Sequence, residues 1–340
     1  MRTDNLDPTQ YIDDLYQEFV PPMPELNTES IINWQSDLRS TLTTLLGGFP
    51  QEKCQLRPQE ENPVYLNGYS RQRIRFTSRK GLDVTAYLLK PADYSPESAL
   101  IICVHGHGCG AYSIIGLEAD GSPRATQNPH RDFALQCVQH GYAALAIDQI
   151  CFGTRREHTA REKGLEHNSC SPTAGSALLL GQTAIGWRVY DIMRTIDYIE
   201  ARGDLNPTRI GIMGLSGGGT SSLYAAALEQ RIKAAVISGA FCPFKDSIMA
   251  MEHCICNYVP GILKHAEMWH IAGLIAPRGL FIETGNKDPI FPTEGVLYAY
   301  DKVKDIYDAL NAGDMIGIEV FDGDHFFYGG KCFDFLAQVL

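Results

Sequence analysis

Six short apolar runs dominate the last two thirds of the chain: ALIICVHG (Ala99–Gly106), YAALAID (Tyr142–Asp148), RIGIMG (Arg209–Gly214), KAAVISG (Lys233–Gly239), GLFIETG (Gly279–Gly285) and IGIEVFDG (Ile316–Gly323). Runs this short and this continuously apolar suit strands buried on both faces, because a strand with one wet face would alternate. Most are separated by segments long enough to form a helix, which predicts a doubly wound α/β fold around a mostly parallel sheet. Within Gln182–Arg202, Ile185, Val189, Ile192, Met193, Ile196 and Ile199 recur at helical spacing, so that segment is expected on the sheet with Arg188 and Asp191 turned away. Asn128-Pro129 predicts a helix start, and Gly141 a helix end. Ahead of these runs, SRQRIRFTSRKGLDVTAYLLKP alternates about a Lys-Gly turn and reads as an antiparallel hairpin.

Residues 1–60 hold two helix-like stretches, Thr9–Val20 and Thr28–Leu46, and read as an N-terminal helical extension on a catalytic domain spanning 61–340. Segments 151–181 and 241–276 break the alternation. Both follow strand ends, where open α/β sheets place their sites, so they are expected to be loop or cap insertions that shape a pocket.

The stretch RIGIMGLSGGGTSSLYAAALEQRI sets Ser216 among glycines between an apolar strand and an alanine-rich helix. Gly214-Leu215-Ser216-Gly217-Gly218 fits G-x-S-x-G, a tight elbow that exposes a nucleophilic hydroxyl. Phosphate-binding glycine patterns are missing from it. A serine needs a base and an orienting acid. ETGNKDPIFP puts Asp288 past one strand end, and VFDGDHFF puts His325 past the last. Ser216, Asp288, His325 is the chain order that an α/β hydrolase triad requires. Asp246, Asp322, Asp324 and Glu283 are weaker candidates for the acid. VHGHGCGAYS offers an oxyanion loop, with the main-chain N–H groups of Gly217 and His107 as donors and Gly108 as the fallback.

A formal charge of −11 disfavours nucleic acid and anionic membranes, which need a basic footprint. A neutral or weakly charged small molecule fits better. The N-terminus shows no apolar signal core, and no run is long enough to cross a bilayer, so a cytoplasmic protein is expected. The ten cysteines are scattered, several within apolar runs, and read as reduced thiols. His253, Cys254 and Cys256, with Cys242 nearby, lack a second well-spaced pair, and His105 with His107 lacks a carboxylate. The expectation is therefore no metal and no cofactor. Tyr258 and Trp269 are expected to line the substrate pocket, and the N-terminal helices could pair two copies.

The combination of HGHGCG, GLSGGG, ETGNKDPIFP, GDHFF and IDQICFGTR, over roughly Tyr69–Leu340, resembles the α/β-hydrolase superfamily. More narrowly it is similar to dienelactone-hydrolase-like and acetyl-xylan-esterase-like serine carboxylesterases. That resemblance implies cofactor-free hydrolysis of short-chain acyl esters through an acyl-enzyme, with acetylated sugars as the substrate class. Ser216 stands where dienelactone hydrolases carry cysteine, and Gly217 where glucuronoyl esterases carry arginine, which counts against both of those branches. A binding module that keeps the fold without the chemistry, and an acyltransferase or perhydrolase using the same triad, are the alternative readings.

Overall fold

The computed structural model describes residues 6–340; residues 1–5 of the expected N-terminal extension lie outside it. Helices α1 (Thr9–Phe19) and α2 (Thr28–Leu45) come first, then the two short strands β1 (Gln59–Glu60) and β2 (Val64–Leu66). The long hairpin β3 (Tyr69–Arg79) and β4 (Leu82–Pro91) follows, then β5 (Leu100–Val104), α3 (Phe133–Gln139) and β6 (Ala143–Ile147). Next come α4 (His158–Arg161), α5 (Cys170–Leu179), α6 (Ala184–Arg202), β7 (Ile210–Leu215), α7 (Gly217–Leu228) and β8 (Ile232–Ser238). The chain closes with α8 (Met268–Gly273), β9 (Gly279–Gly285), α9 (Thr293–Ala309), β10 (Ile316–Phe321) and α10 (Cys332–Val339).

All ten strands join one sheet, whose main path runs β1-β3-β4-β6-β5-β7-β8-β9-β10, with β2 paired to β3. From β6 to β10 along that path every pairing is parallel, while β3, β4 and their short edge partners pair antiparallel. Each of the six apolar runs is a strand of the parallel part. β5 shows why such a run is continuous. Leu100, Ile102 and Val104 pack on one face with α2, α6, α7 and α9, while Ile101 and Cys103 pack on the other with α3 and α10. Each such aliphatic side chain contributes about 1.5–3 kcal/mol through burial, so no position of β5 can be polar without loss.

The N-terminal helices are fastened to this core. In α2, Ile31, Leu38 and Leu42 are buried in the larger cluster. Gln35 donates to the carbonyls of Gly273 and Ala276 at 2.8 and 2.9 Å, and Arg39 donates to those of Ala227 and Leu274 at 3.0 and 2.6 Å. The extension thus clasps α7, α8 and the end of the second insertion.

One expectation needs correction. No helix begins at Asn128: its Oδ1 accepts the Arg131 N–H at 2.9 Å in a turn, and Arg131 and Asp132 take φ of 48° and 49°, so α3 starts only at Phe133. Arg188 and Asp191, expected to turn away from the sheet, both have buried side chains. Asp191 accepts from Arg79 at 3.0 Å and from Arg155 at 2.7 Å, and this paired charge makes its burial tolerable. Among the described residues no helix is long and apolar enough to cross a membrane.

Candidate active site

Ser216 occupies the turn between β7 and α7 with φ 56° and ψ −127°, a conformation that costs a non-glycine residue of order 1–3 kcal/mol and persists only where packing imposes it. Its N–H donates to Ser238 O at 2.9 Å. The surrounding glycines do not take positive φ; Ser216 itself does. The glycines provide space instead. A Cβ on Gly218 would overlap the carbonyl oxygen of Val104 and lie 2.5 Å from that of His105; one on Gly219 would lie 2.5 Å from Ala240 Cβ. Removing these side chains lets α7 sit directly against β5 and β8, which holds the serine in its strained position.

His325 and Asp288 meet at the end of the sheet beside this turn. His325 Nδ1 bonds Asp288 Oδ2 at 2.7 Å. Asp288 Oδ1 accepts the N–H groups of Ile290 and Phe291 at 2.8 and 3.1 Å, which fixes the carboxylate, and the Phe291 ring stacks on the imidazole. A Cβ on Gly239 would lie 3.0 Å from His325 Cε1, so this glycine makes room for the ring. His325 Nε2 is buried without a partner. Two of the competing acids are spent elsewhere: Asp322 pairs with Lys287 at 2.7 Å. Glu283 accepts from Ser238, Tyr328 and Gly329, each at 2.7 Å, and burial pushes its carboxyl up to about 7.

Ser216 and His325 line one cavity of about 540 Å³ with His107, Gly108, His253 and Cys254. The ring of His107 lies against Gly217, 3.2 Å from where a Cβ would stand. The N–H of Gly217, at the first position of α7, has no intrahelical acceptor. Two histidines whose part the sequence does not disclose shape this loop. His105 Nδ1–H donates to Gly106 O at 2.6 Å and its Nε2 accepts from Gln149 N–H at 3.0 Å. His130 Nε2 accepts the Gly106 N–H at 2.9 Å. Burial keeps both neutral, lowering His105 to about 4 and His130 to about 3.

Tyr258 and Trp269 do not line this cavity, contrary to expectation. Tyr258 lines a neighbouring space of about 680 Å³ with Phe244, Val259 and Leu263, which touches the Ser216 cavity only through His253. Trp269 is buried against Tyr298 and faces a third space beside Tyr16 and Pro22. Cys242 and His253 also part from Cys254 and Cys256. Cys242 Sγ points to Pro292 O and His253 Nδ1 to the Asn257 amide, while Cys254 and Cys256 turn toward His107 and Cys170.

A mostly parallel sheet with helices on both faces, a strained serine between strand and helix, and a His-Asp pair at neighbouring strand ends define an α/β-hydrolase fold. The model of the abhydrolase family matches residues 12–301, and the chain belongs to that family. It is 30% identical over 296 residues to "Putative hydrolase YtaP" of Bacillus subtilis strain 168, covering 82% of this chain and 88% of the relative. Among solved structures, a "putative acetyl xylan esterase" from Bacteroides fragilis superposes with a TM-score of 0.76 at 19% identity, covering 95% of this chain and 84% of that one. The glucuronoyl esterase from Solibacter usitatus gives 0.69 at 13% identity, with 95% and 98% covered.

Proposed function

We propose that this protein is a serine carboxylesterase that hydrolyses short-chain acyl esters, with acetylated sugars as the favoured substrate class. The observation that carries the reading is His325: Asp288 holds its Nδ1, leaving a buried, unpartnered Nε2 in the cavity that Ser216 lines. A base held in one tautomer beside a strained serine is the arrangement that acyl transfer needs.

In this mechanism His325 Nε2 removes the Ser216 proton as Oγ attacks the ester carbonyl. The N–H groups of Gly217 and His107 receive the developing alkoxide. The imidazolium then protonates the departing alcohol, and Asp288 stabilises the charge meanwhile. Water, deprotonated by His325, releases the acid and restores Ser216.

The cavity favours an uncharged ester. The guanidinium that lines it among the described residues, Arg124, is paired with Glu118 at 3.2 Å and Asp132 at 3.4 Å, so it is not available to a carboxylate on the substrate. Met251 and Ile290 supply a short apolar wall, and a space of about 540 Å³ is of the size that holds a small ligand. The acetyl xylan esterase likeness supports the same substrate class. The test is a screen of acetyl, propionyl and longer acyl esters on sugar and simple alcohols. Hydrolysis should be highest for acetyl esters and be lost in Ser216→Ala; a Ser216→Ala variant as active as its parent would end the reading.

A further inference from the structure

Behind the oxyanion loop, four side chains from three distant parts of the chain converge. His107 follows β5, Cys170 opens α5 in the first insertion, and Cys254 and Cys256 lie in the second. Their ligand atoms all lie within 4.8 Å of one another. His107 Nε2 is 3.7 Å from Cys256 Sγ and 4.0 Å from Cys170 Sγ, and the sulfurs of Cys254 and Cys256 are 3.1 Å apart. A tetrahedral zinc ion with bonds of about 2.3 Å to sulfur and about 2.0 Å to nitrogen needs ligand separations of about 3.5–3.8 Å. The four atoms bracket those values.

An independent observation is the charge beside them. Arg188 is fully buried in α6, yet among the described residues its guanidinium meets no carboxylate. Its polar contacts are Cys256 Sγ at 3.5 Å, Cys170 Sγ at 3.6 Å and the Ile150 carbonyl at 3.4 Å, its Nε has no partner, and its Cζ lies 5.4 Å from the centre of the Phe152 ring, which carries no charge. An arginine cannot shed its proton to escape burial, and an uncompensated buried charge is strongly destabilising. Three neutral thiols would leave it uncompensated. One zinc ion with three thiolates and a neutral imidazole carries a net charge of −1, which a single buried guanidinium neutralises.

We propose that His107, Cys170, Cys254 and Cys256 bind one structural zinc ion, with Arg188 as its counter-charge. Binding displaces one proton from each thiol to solvent, and no redox step is involved. Four protein ligands close the coordination sphere, so the ion presents no position to substrate or water. Its work is mechanical: it ties both insertions to the loop that carries the His107 N–H. Ester hydrolysis keeps the metal-free chemistry described above, and the zinc site stands whether or not that reading of the reaction holds. Cys254 and His107 both reach the Ser216 cavity, which gives the ion a way in.

The sequence hides the site because the ligands are not adjacent: His107 lies 63 residues from Cys170 and 149 from Cys256. The Cys-x-Cys of Cys254 and Cys256 has no second pair, and only the fold brings its partners.

The test is metal analysis of the full-length protein, purified anaerobically without chelator and again after reduction and reconstitution with zinc chloride. Cobalt substitution supplies a spectroscopic readout. The expected result is about one zinc per chain and, with cobalt, thiolate charge-transfer and intense tetrahedral d–d absorption. Cys256→Ser should lose most of the metal, while Cys54→Ser, on a remote thiol, should keep it. Wild-type protein that holds no metal after reconstitution would overturn the proposal without recourse to any variant. So would a Cys254–Cys256 disulfide in the anaerobic protein, or bound metal that Cys256→Ser leaves unchanged.

Discussion

Gly218→Ala is a small change with a large expected consequence. The new Cβ would overlap Val104 O and lie 2.5 Å from His105 O, where ordinary contact begins at 3.4 Å. Both obstacles are main-chain atoms at the end of β5, which cannot swing aside as a side chain can. Either α7 or the β5 end must therefore shift by more than the 0.9 Å that His105 O alone would require, because Val104 O lies closer still. Overpacking of this kind costs about 1–3 kcal/mol, offset by up to ~1 kcal/mol because alanine favours the helix over glycine. Two main-chain obstacles put the cost at the upper end of that range, so the net expectation is a loss of about 2 kcal/mol. Activity should fall further, because His107 follows two residues after His105, and misplacing a reacting group by about 1 Å can cost ~100-fold in rate. Gly175→Ala, inside α5, is the matched control: a Cβ there meets nothing within 4 Å, so it should stabilise by about 0.5–1 kcal/mol. Urea unfolding and acetyl ester hydrolysis on the two variants measure both effects. A Gly218→Ala protein with parental stability and rate would refute the argument that glycine is there for close approach.

Asp288→Asn keeps the size of the side chain but no longer favours the tautomer that leaves His325 Nε2 free to accept a proton, so esterase activity should drop by about 10⁴-fold with circular dichroism unchanged; a loss under tenfold would show that another acid serves. Acid should destabilise the protein through His130. Its native ionisation is lowered by burial to about 3 from an ordinary 6.5, so the stability it confers is complete above about 6.5 and is lost as pH falls toward 3. The whole contribution is on the order of 5 kcal/mol, of which about 3 kcal/mol is lost by pH 4. Unfolding free energies measured from pH 7 to pH 4 should show it, and His130→Gln should flatten the slope; an unchanged slope would show that His130 is not its source. Arg188→Met should unfold at lower temperature than wild type if the guanidinium balances bound thiolates, whereas an apolar side chain that stabilises the fold would show there is no negative charge for it to balance.

The parallel strands were legible because burial on both faces leaves almost no polar position, and β5, β6 and β7 show that constraint in full. The edge strands β1 and β2 were not legible: two and three exposed residues carry no pattern, and their pairing depends on β3. The late start of α3 also escaped, since Asn128-Pro129 is equally good chemistry for a turn. That Ser216, Asp288 and His325 would come together was legible because each follows a strand end in a fixed order. Tyr258 and Trp269 could not be placed, since the path of the second insertion is set by contacts with α1, α2 and the sheet rather than by local preference. Arg188 is a related case: its spacing turns it away from the sheet, but that it meets the sulfurs of Cys170 and Cys256 depends on residues distant in sequence. His130 bears on the site through a single bond to Gly106, which nothing in the local sequence signals.

The most direct test of the central claim is to label the purified, folded protein with a fluorophosphonate and locate the adduct by peptide mass spectrometry, with Ser216→Ala as control. An activated nucleophile predicts one adduct per chain on Ser216, absent from the variant and strongly slowed in Asp288→Asn. An intact protein that takes no label on Ser216 would contradict the account, leaving the strained elbow as a turn on a non-catalytic fold.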